Sequence, residues 1–365
     1  MFNPSHLRRW LFYSLEKVMG MYRVTPRKAV SLIEEILAAG LVPFMQGSPG
    51  IGKSAIGNGL SKSFNLATVD HRLSTSPPED MNGLPYFEER PYGKVACFAP
   101  FADLFPIEGM PLPEGKDGWL VFLDEYNSAK KDTQAASYKL LLDRMTGQKK
   151  LHERVAIVLA GNLSTDRAIV NNLSTAAQSR LIHLELEVSY HDWLRDVAIA
   201  QDYDPRIIGY FSQFEEDLMS FDPKHTDKTF CCPRTVEFLN RMIIGKDVTE
   251  DRLPMYAGTV GEDIATKFYQ FCNVYKDLIK YEEIMKDPLN CRLPTSLDLA
   301  WATVSGLVSK MTIKNFPTMA AYAGRLGLDM RILFFRFAMA KYPELRRDPT
   351  FAAVAVQLAK YLNED

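Results

Sequence analysis

The sequence predicts an α/β core, a parallel sheet flanked by helices, followed by an all-helical region. Short apolar runs that suit buried strands alternate with helix-like segments up to about residue 190. A glycine-rich loop joins one of these strands to the helix that follows it. After about residue 190, strand-like runs nearly vanish and helical periodicity dominates. A chain of 365 residues suits two or three such domains.

Caps, apolar runs and turns mark the elements of the first half. Thr25 and Pro26 are typical of a helix start, and Gly40 is typical of its end. A second helix follows the glycine-rich loop to residue 60, and a third is expected over 133–145. The predicted strands cover 41–45, 67–71, 119–123, 155–160 and 181–186. Hairpins are expected at 86–98, around the turn 90–93, and at 147–153, and a short helix is expected within 1–24.

The amino-acid composition indicates a globular protein and argues against a membrane-spanning, disulfide-rich or zinc-binding one. Hydrophobic residues make up 47% and charged residues 24%, which is typical of a globular protein with a real core. The net charge of −2 gives no bulk attraction to nucleic acid or to an anionic membrane. No apolar run approaches a membrane span, and five scattered cysteines form neither a disulfide framework nor a zinc pattern. We therefore expect a cytoplasmic protein.

The strongest motif is Gly47-Ser48-Pro49-Gly50-Ile51-Gly52-Lys53-Ser54. It follows a predicted strand and opens a helix, which is the context of a phosphate-binding P-loop. Its glycines allow backbone N–H groups to surround phosphates, and the helix N-terminus adds its positive end. Lys53 is expected to reach the β- and γ-phosphates of ATP, and Ser54 to hold Mg²⁺.

A second motif, 120–125, is an apolar strand that ends in Asp124 and Glu125. It fits a Walker B strand, in which Asp124 binds the water shell of the metal and Glu125 acts as general base. The alternative is an acidic strand end that faces solvent, and the P-loop about 70 residues earlier argues against it.

Three further polar residues leave alternatives open. Asn162 ends an apolar strand, where it either contacts the γ-phosphate or attacking water, or is an ordinary turn residue. Arg180, before the last strand, either caps carbonyls or reaches a neighbouring subunit as an arginine finger. Arg234 opens a helix in the second half, as a phosphate sensor or as a surface charge.

The order of these motifs resembles that of the AAA+ ATPases, and within them the MoxR family. The likeness extends to the segment 71–85, to Asp-Glu-Tyr-Asn-Ser-Ala at 124–129, and to 160–162, 178–180 and 233–235, and it covers about residues 25–330. The resemblance implies that Asn162 is sensor 1, Arg180 the arginine finger and Arg234 sensor 2. It also implies inserted hairpins near 77–106 and 144–154 that face a pore or a partner, unless they are variable surface loops.

The resemblance further implies an organisation and a set of partners. The expected domains are an extension at 1–24, an α/β nucleotide-binding domain at 25–190, a helical lid at 191–245 and a helical region at 246–365. The expected assembly is a homo-hexameric ring that hydrolyses ATP to remodel, activate or assemble a client or a partner with a von Willebrand factor A-type domain. Two alternatives stay open: an ATP-binding switch or scaffold with little turnover, and a nucleic-acid motor, which no basic stripe supports.

Overall fold

The computed structural model describes residues 22–101, 103–166, 170–225, 227–274, 279–349 and 351–354. The chain divides into two compact units, Met1–Glu187 and Val188–Asp365. The short helix expected within residues 1–24 falls outside the described residues up to position 21.

The first unit is built on a six-stranded sheet in which every neighbouring pair is parallel. The strands are β1 (Arg23–Val24), β2 (Val42–Gln46), β3 (Leu66–Arg72), β6 (Gly118–Asp124), β9 (Val155–Gly161) and β10 (Leu181–Leu186). Their order across the sheet is β1-β10-β2-β9-β6-β3. The five strands predicted from apolar runs are confirmed. Arg23 and Val24 also join the sheet, although their sequence suggested only an N-terminal extension.

Helices cover the sheet and connect its strands. They are α1 (Pro26–Ala38), α2 (Lys53–Ser63), α3 (Glu79–Asn82), α4 (Lys131–Leu142) and α5 (Thr175–Gln178). The Thr25 hydroxyl caps α1 by accepting from the Lys28 N–H at 3.4 Å, as predicted. The strands that pair directly with β9 are almost entirely buried, which explains their unbroken apolar runs.

Two antiparallel hairpins extend from this unit. The first pairs β4 (Leu84–Arg90) with β5 (Gly93–Ala99), and the second pairs β7 (Met145–Thr146) with β8 (Lys149–Lys150). The helix predicted over 133–145 ends earlier, at Leu142. The second hairpin begins before the 147–153 segment expected from its turn pattern, and it lies within the 144–154 segment that the resemblance implied. Arg144 takes a left-handed φ of 52°, which stops the helix before Met145 enters β7.

The described part of the second unit is helical and contains no strand, as predicted. Proline opens several of its helices at the first turn, and Asp204 caps one of them by accepting from the Arg206 N–H at 3.0 Å. The helices are α6 (Tyr190–Trp193), α7 (Pro205–Gln213), α8 (Pro233–Ile243), α9 (Leu253–Val260), α10 (Glu262–Val274), α11 (Tyr281–Lys286), α12 (Leu297–Ser309), α13 (Phe316–Ala323) and α14 (Leu328–Lys341). Across the described residues, no helix has the length and apolar character needed to cross a membrane.

Candidate nucleotide-binding site

The glycine-rich loop lies between the end of β2 at Gln46 and the start of α2 at Lys53. Gly50 and Gly52 have φ values of 79° and 105°, a conformation that side chains with a Cβ disfavour. The Gly47 N–H donates to the Gly161 carbonyl at 3.2 Å, which ties the loop to the end of β9. The loop therefore has the backbone shape of a phosphate-binding turn that leads into a helix N-terminus.

Lys53 lies inside this loop and is 9% exposed. Its Nζ donates to the carbonyls of Gly47 and Ser48 at 2.6 and 3.2 Å and to Asn162 Oδ1 at 3.1 Å. A buried ammonium group needs such polar partners because its desolvation is costly. The contacts hold the positive charge within the concavity of the loop and next to the predicted sensor residue.

Ser54, at the start of α2, contacts Asp124, the last residue of β6. Ser54 Oγ donates to Asp124 Oδ2 at 3.2 Å, while Asp124 Oδ1 accepts from the Glu125 N–H at 2.8 Å. Mg²⁺ prefers oxygen ligands and is commonly held by one or two protein groups together with waters and substrate phosphates. A hydroxyl and a carboxylate at this separation fit that requirement, so this pair is the candidate Mg²⁺ site.

Glu125 follows the strand in a left-handed conformation, with a φ of 55°. This uncommon geometry for a residue other than glycine turns the chain sharply at the edge of the sheet. Its carboxylate accepts a hydrogen bond from the hydroxyl of Ser74, which lies in the 3₁₀ turn Leu73–Thr75 after β3. Ser74 is a site residue that the sequence did not single out.

Asp70 lies on β3 beside the strand that carries Asp124. Burial raises the pKa of the Asp70 carboxyl, and the charge of Asp124 raises it further, while the positive charge of Arg72 and that of the protonated form of His71 oppose the shift. Asp70 and Asp124 are therefore two carboxylates on neighbouring strands that each disfavour ionisation of the other.

Asn162 follows β9, and a second amide side chain holds its backbone. Asn127 Nδ2 donates to the Asn162 carbonyl at 2.7 Å, and Asn127 Oδ1 accepts from the Asn162 N–H at 3.1 Å. The sequence showed Asn127 only as part of the 124–129 resemblance and gave it no role. The sequence feature that could have predicted a role for Asn127 is its position, two residues after Glu125 at the end of a strand.

The structure places the two predicted arginines differently from the other site residues. Arg180 is exposed and donates from Nη1 to the carbonyl of Ala176 at 2.9 Å, at the end of α5. Arg234 is exposed and is the second residue of α8, in the helical unit. The residues brought into mutual contact are thus Lys53, Ser54, Asp124, Glu125 and Asn162, together with the unpredicted Ser74 and Asn127.

Comparison with known proteins gives fold neighbours of low similarity. No family model matches the chain, and no curated protein matches it. A mutant of RuvB from Thermotoga maritima shares 16% identity, with a TM-score of 0.38 over 72% of this chain and 75% of that chain. A putative ATPase from Cytophaga hutchinsonii shares 13% identity, with a TM-score of 0.33 over 93% and 91%. NtrX from Brucella abortus shares 13% identity, with a TM-score of 0.32 over 98% and 72%.

Proposed function

We propose that this protein is a Mg²⁺-dependent ATPase of the AAA+ class, of MoxR type. One observation carries the proposal: polar residues at the ends of two strands, β6 and β9, converge on the loop of residues 47–54. Lys53, Ser54, Asp124 and Asn162 form one contact network, and Glu125 adjoins it. These are the group types that phosphoryl transfer to water requires: phosphate-binding N–H groups, a lysine, metal ligands, a base and a polar sensor.

In the proposed reaction, the backbone N–H groups of residues 47–54 bind the phosphates of ATP. Lys53 exchanges its contacts with the Gly47 and Ser48 carbonyls for the β- and γ-phosphate oxygens. Bound Mg²⁺, held by Ser54 and Asp124, would neutralise phosphate charge that develops in the transition state. The protein's own contribution is to orient the γ-phosphate at the edge of the sheet where β6 and β9 end.

Glu125 supplies the base for the attacking water. Its carboxylate takes a proton as the water oxygen bonds to the γ-phosphorus, the bond to the β–γ bridging oxygen breaks, and ADP and inorganic phosphate are released. Asn162, whose Oδ1 already contacts Lys53, orients the γ-phosphate or the water. The hydrogen bond from Ser74 to one oxygen of the Glu125 carboxylate stabilises its ionised form and so weakens it as a base, which makes that contact a restraint on turnover.

Assembly into a homo-hexameric ring is part of the proposal. Exposed Arg180 is bound to a carbonyl of its own α5, and in a ring it would act as arginine finger at a neighbour's γ-phosphate. Arg234 would act as sensor 2.

The two hairpins would face the pore or a partner, because the first exposes aromatic side chains, with Phe87 at 71% and Tyr92 at 78% exposure. The work performed would be the remodelling, activation or assembly of a client or of a von Willebrand factor A-type partner.

A second candidate function is an ATP-binding switch with little turnover. The observation that favours it is the Ser74–Glu125 hydrogen bond, since it engages the carboxylate that hydrolysis needs. The two candidates share the nucleotide site and differ only in rate. A steady turnover that rises when a protein partner is added would support the remodelling ATPase, whereas one slow turnover per binding event would support the switch.

The direct test is phosphate release from ATP by the purified chain, with Mg²⁺ and with excess chelator. We expect Mg²⁺-dependent release that Glu125→Gln suppresses. The matched control is Glu35→Gln, on the exposed face of α1, which should leave the rate unchanged. Release that is equal in the parental chain, in Glu125→Gln and in chelator would refute the ATPase.

A further inference from the structure

The side chain of Asn127 is buried between two candidate site residues, Glu125 and Asn162. It is 2% exposed and lies two positions after Glu125, in the 3₁₀ turn Tyr126–Ser128. Its side-chain amide pairs with both backbone groups of Asn162, donating to the carbonyl at 2.7 Å and accepting from the N–H at 3.1 Å. Only an amide side chain offers one donor and one acceptor in this fork.

The end of β9 is shaped to admit this side chain. A Cβ placed on Gly161 would lie 2.3 Å from Asn127 Oδ1 and 2.8 Å from its Cγ. Any larger residue at position 161 would therefore displace the amide from Asn162. The absence of a side chain at this strand end is explained by the close approach of Asn127 and of Phe44, whose Cε2 would lie 2.9 Å from that Cβ.

The turn that carries Asn127 is itself held on both sides. The Asn127 carbonyl accepts from the Asn171 N–H at 2.7 Å, and Asn171 Nδ2 donates to the Ala129 carbonyl at 2.8 Å. Within the turn, the Ser128 N–H donates to the Glu125 carbonyl at 2.9 Å. Asn127 thus joins the backbone that presents Glu125 to the backbone that presents Asn162.

We propose that Asn127 is a positioning residue that holds the sensor Asn162 in place beside Lys53 for phosphoryl transfer. The inference rests on the proposed ATPase function. By fixing the N–H and C=O of Asn162, the Asn127 amide directs Asn162 Oδ1 toward Lys53 Nζ, 3.1 Å away. Asn127 acts only through Asn162, and it is not expected to touch the nucleotide.

The test compares Asn127→Asp with Asn127→Ala in the 365-residue chain. The aspartate keeps an acceptor for the Asn162 N–H but sets a carboxylate oxygen against the Asn162 carbonyl, and alanine removes both contacts. We expect kcat to fall by about 10²-fold, the loss typical of one misplaced group that stabilises the transition state. The affinity for a fluorescent ATP analogue and the KM should change by less than about threefold, because the P-loop is intact.

The deciding measurement is a double-mutant cycle with Asn162→Ala. If Asn127 works through the Asn162 side chain, then Asn127→Asp should cost little further activity once that side chain is gone. Multiplied losses in the double variant would overturn the inference and leave the ATPase proposal standing. An unchanged kcat in both Asn127 variants would overturn it as well.

Two further variants separate positioning from folding. Asn240→Asp changes another buried amide, whose Oδ1 accepts from the Asp204 N–H at 2.8 Å in the helical unit, and should leave kcat unchanged. Gly161→Ala sets a Cβ 2.3 Å from Asn127 Oδ1 and 2.9 Å from Phe44 Cε2 without removing a polar group, and should reproduce the loss of kcat. If the Asn127 variants and Gly161→Ala all fail to fold, the role is structural and the inference is overturned. If the parental chain releases no phosphate from ATP, the proposed ATPase function is refuted, and the inference about Asn127 is refuted with it.

Discussion

The hydroxyl of Ser74 donates a hydrogen bond to the carboxylate of Glu125, the candidate general base. The two residues come from turns after adjacent parallel strands, β3 and β6, and are 51 positions apart in the sequence. Carboxyl ends of neighbouring parallel strands meet at one edge of a sheet, so the fold brings them together. This contact gives the site a restraint on the base that needs no added partner.

Removal of that restraint should speed basal hydrolysis. We expect Ser74→Ala to raise kcat by about 3–10-fold, since a hydrogen bond to a charged group contributes about 1.5–3 kcal/mol and part of this is recovered by water. The measurement is steady-state phosphate release at saturating ATP. Thr75→Ala is the matched control, because Thr75 is exposed and its hydroxyl donates to the Arg72 carbonyl at 3.1 Å. A lower kcat in Ser74→Ala would instead show that Ser74 helps to orient Glu125.

Lys53→Ala should abolish ATP binding. The variant removes the one side-chain cation inside the loop and also its contacts with Gly47, Ser48 and Asn162. Titration with a fluorescent ATP analogue measures the effect, and Lys62→Ala, at the exposed end of the same helix, is the control. Parental affinity in Lys53→Ala would contradict the assignment of this loop as the phosphate site.

Glu125→Gln should bind ATP and hydrolyse it at least about 10²-fold more slowly, because glutamine keeps the shape of the side chain but cannot accept the proton. Affinity and single-turnover hydrolysis are measured on the same preparation. A kcat within a few-fold of the parental value would remove Glu125 from its assigned role, whereas a lost affinity would point to a distorted loop.

The stability of the first unit should depend on the ionisation of Asp70. Its pKa is raised above the ordinary value of 3.8, so the folded state binds more protons than the unfolded state between these two values. The free energy of unfolding therefore falls as pH rises through that window, and ionised Asp70 is destabilising at neutral pH. Asp70→Asn should raise the Tm at neutral pH.

The size of that gain should itself change with pH. It should shrink as pH falls below the raised pKa, where the parental carboxyl is protonated as well. Thermal unfolding in a pH series measures this, with Asp143→Asn at an exposed position as control. A gain that is constant across the series would show that the effect comes from packing rather than from charge.

Arg180 should act on a neighbouring subunit. We expect the activity per subunit to rise with protein concentration, and Arg180→Ala to lose turnover while it keeps nucleotide binding. Mixtures of Arg180→Ala with Glu125→Gln should regain activity, since a site with intact Glu125 then receives Arg180 from its neighbour. If both variants assemble and the mixture stays inactive, Arg180 acts within its own chain or only caps the Ala176 carbonyl.

The sequence by itself determined the five main strands, the loop of residues 47–54 and the acidic strand end at Asp124 and Glu125. These features are local: an apolar run of strand length, glycines next to a strand and a helix start, and charges where an apolar run stops. The end of α4 was less well predicted. The helical pattern of the sequence runs to Met145, but the helix ends at Leu142 because Arg144 has a left-handed backbone conformation.

Only the tertiary structure decided which polar groups meet. Ser74, Glu125, Asn127 and Asn162 lie on turns after three different strands, and the strand order β9-β6-β3 places those turns side by side. No local pattern specifies that order, because it arises when the whole sheet pairs and buries its apolar faces. The contact of Ser74 with Glu125 and that of Asn127 with Asn162 could therefore be identified only from the tertiary structure.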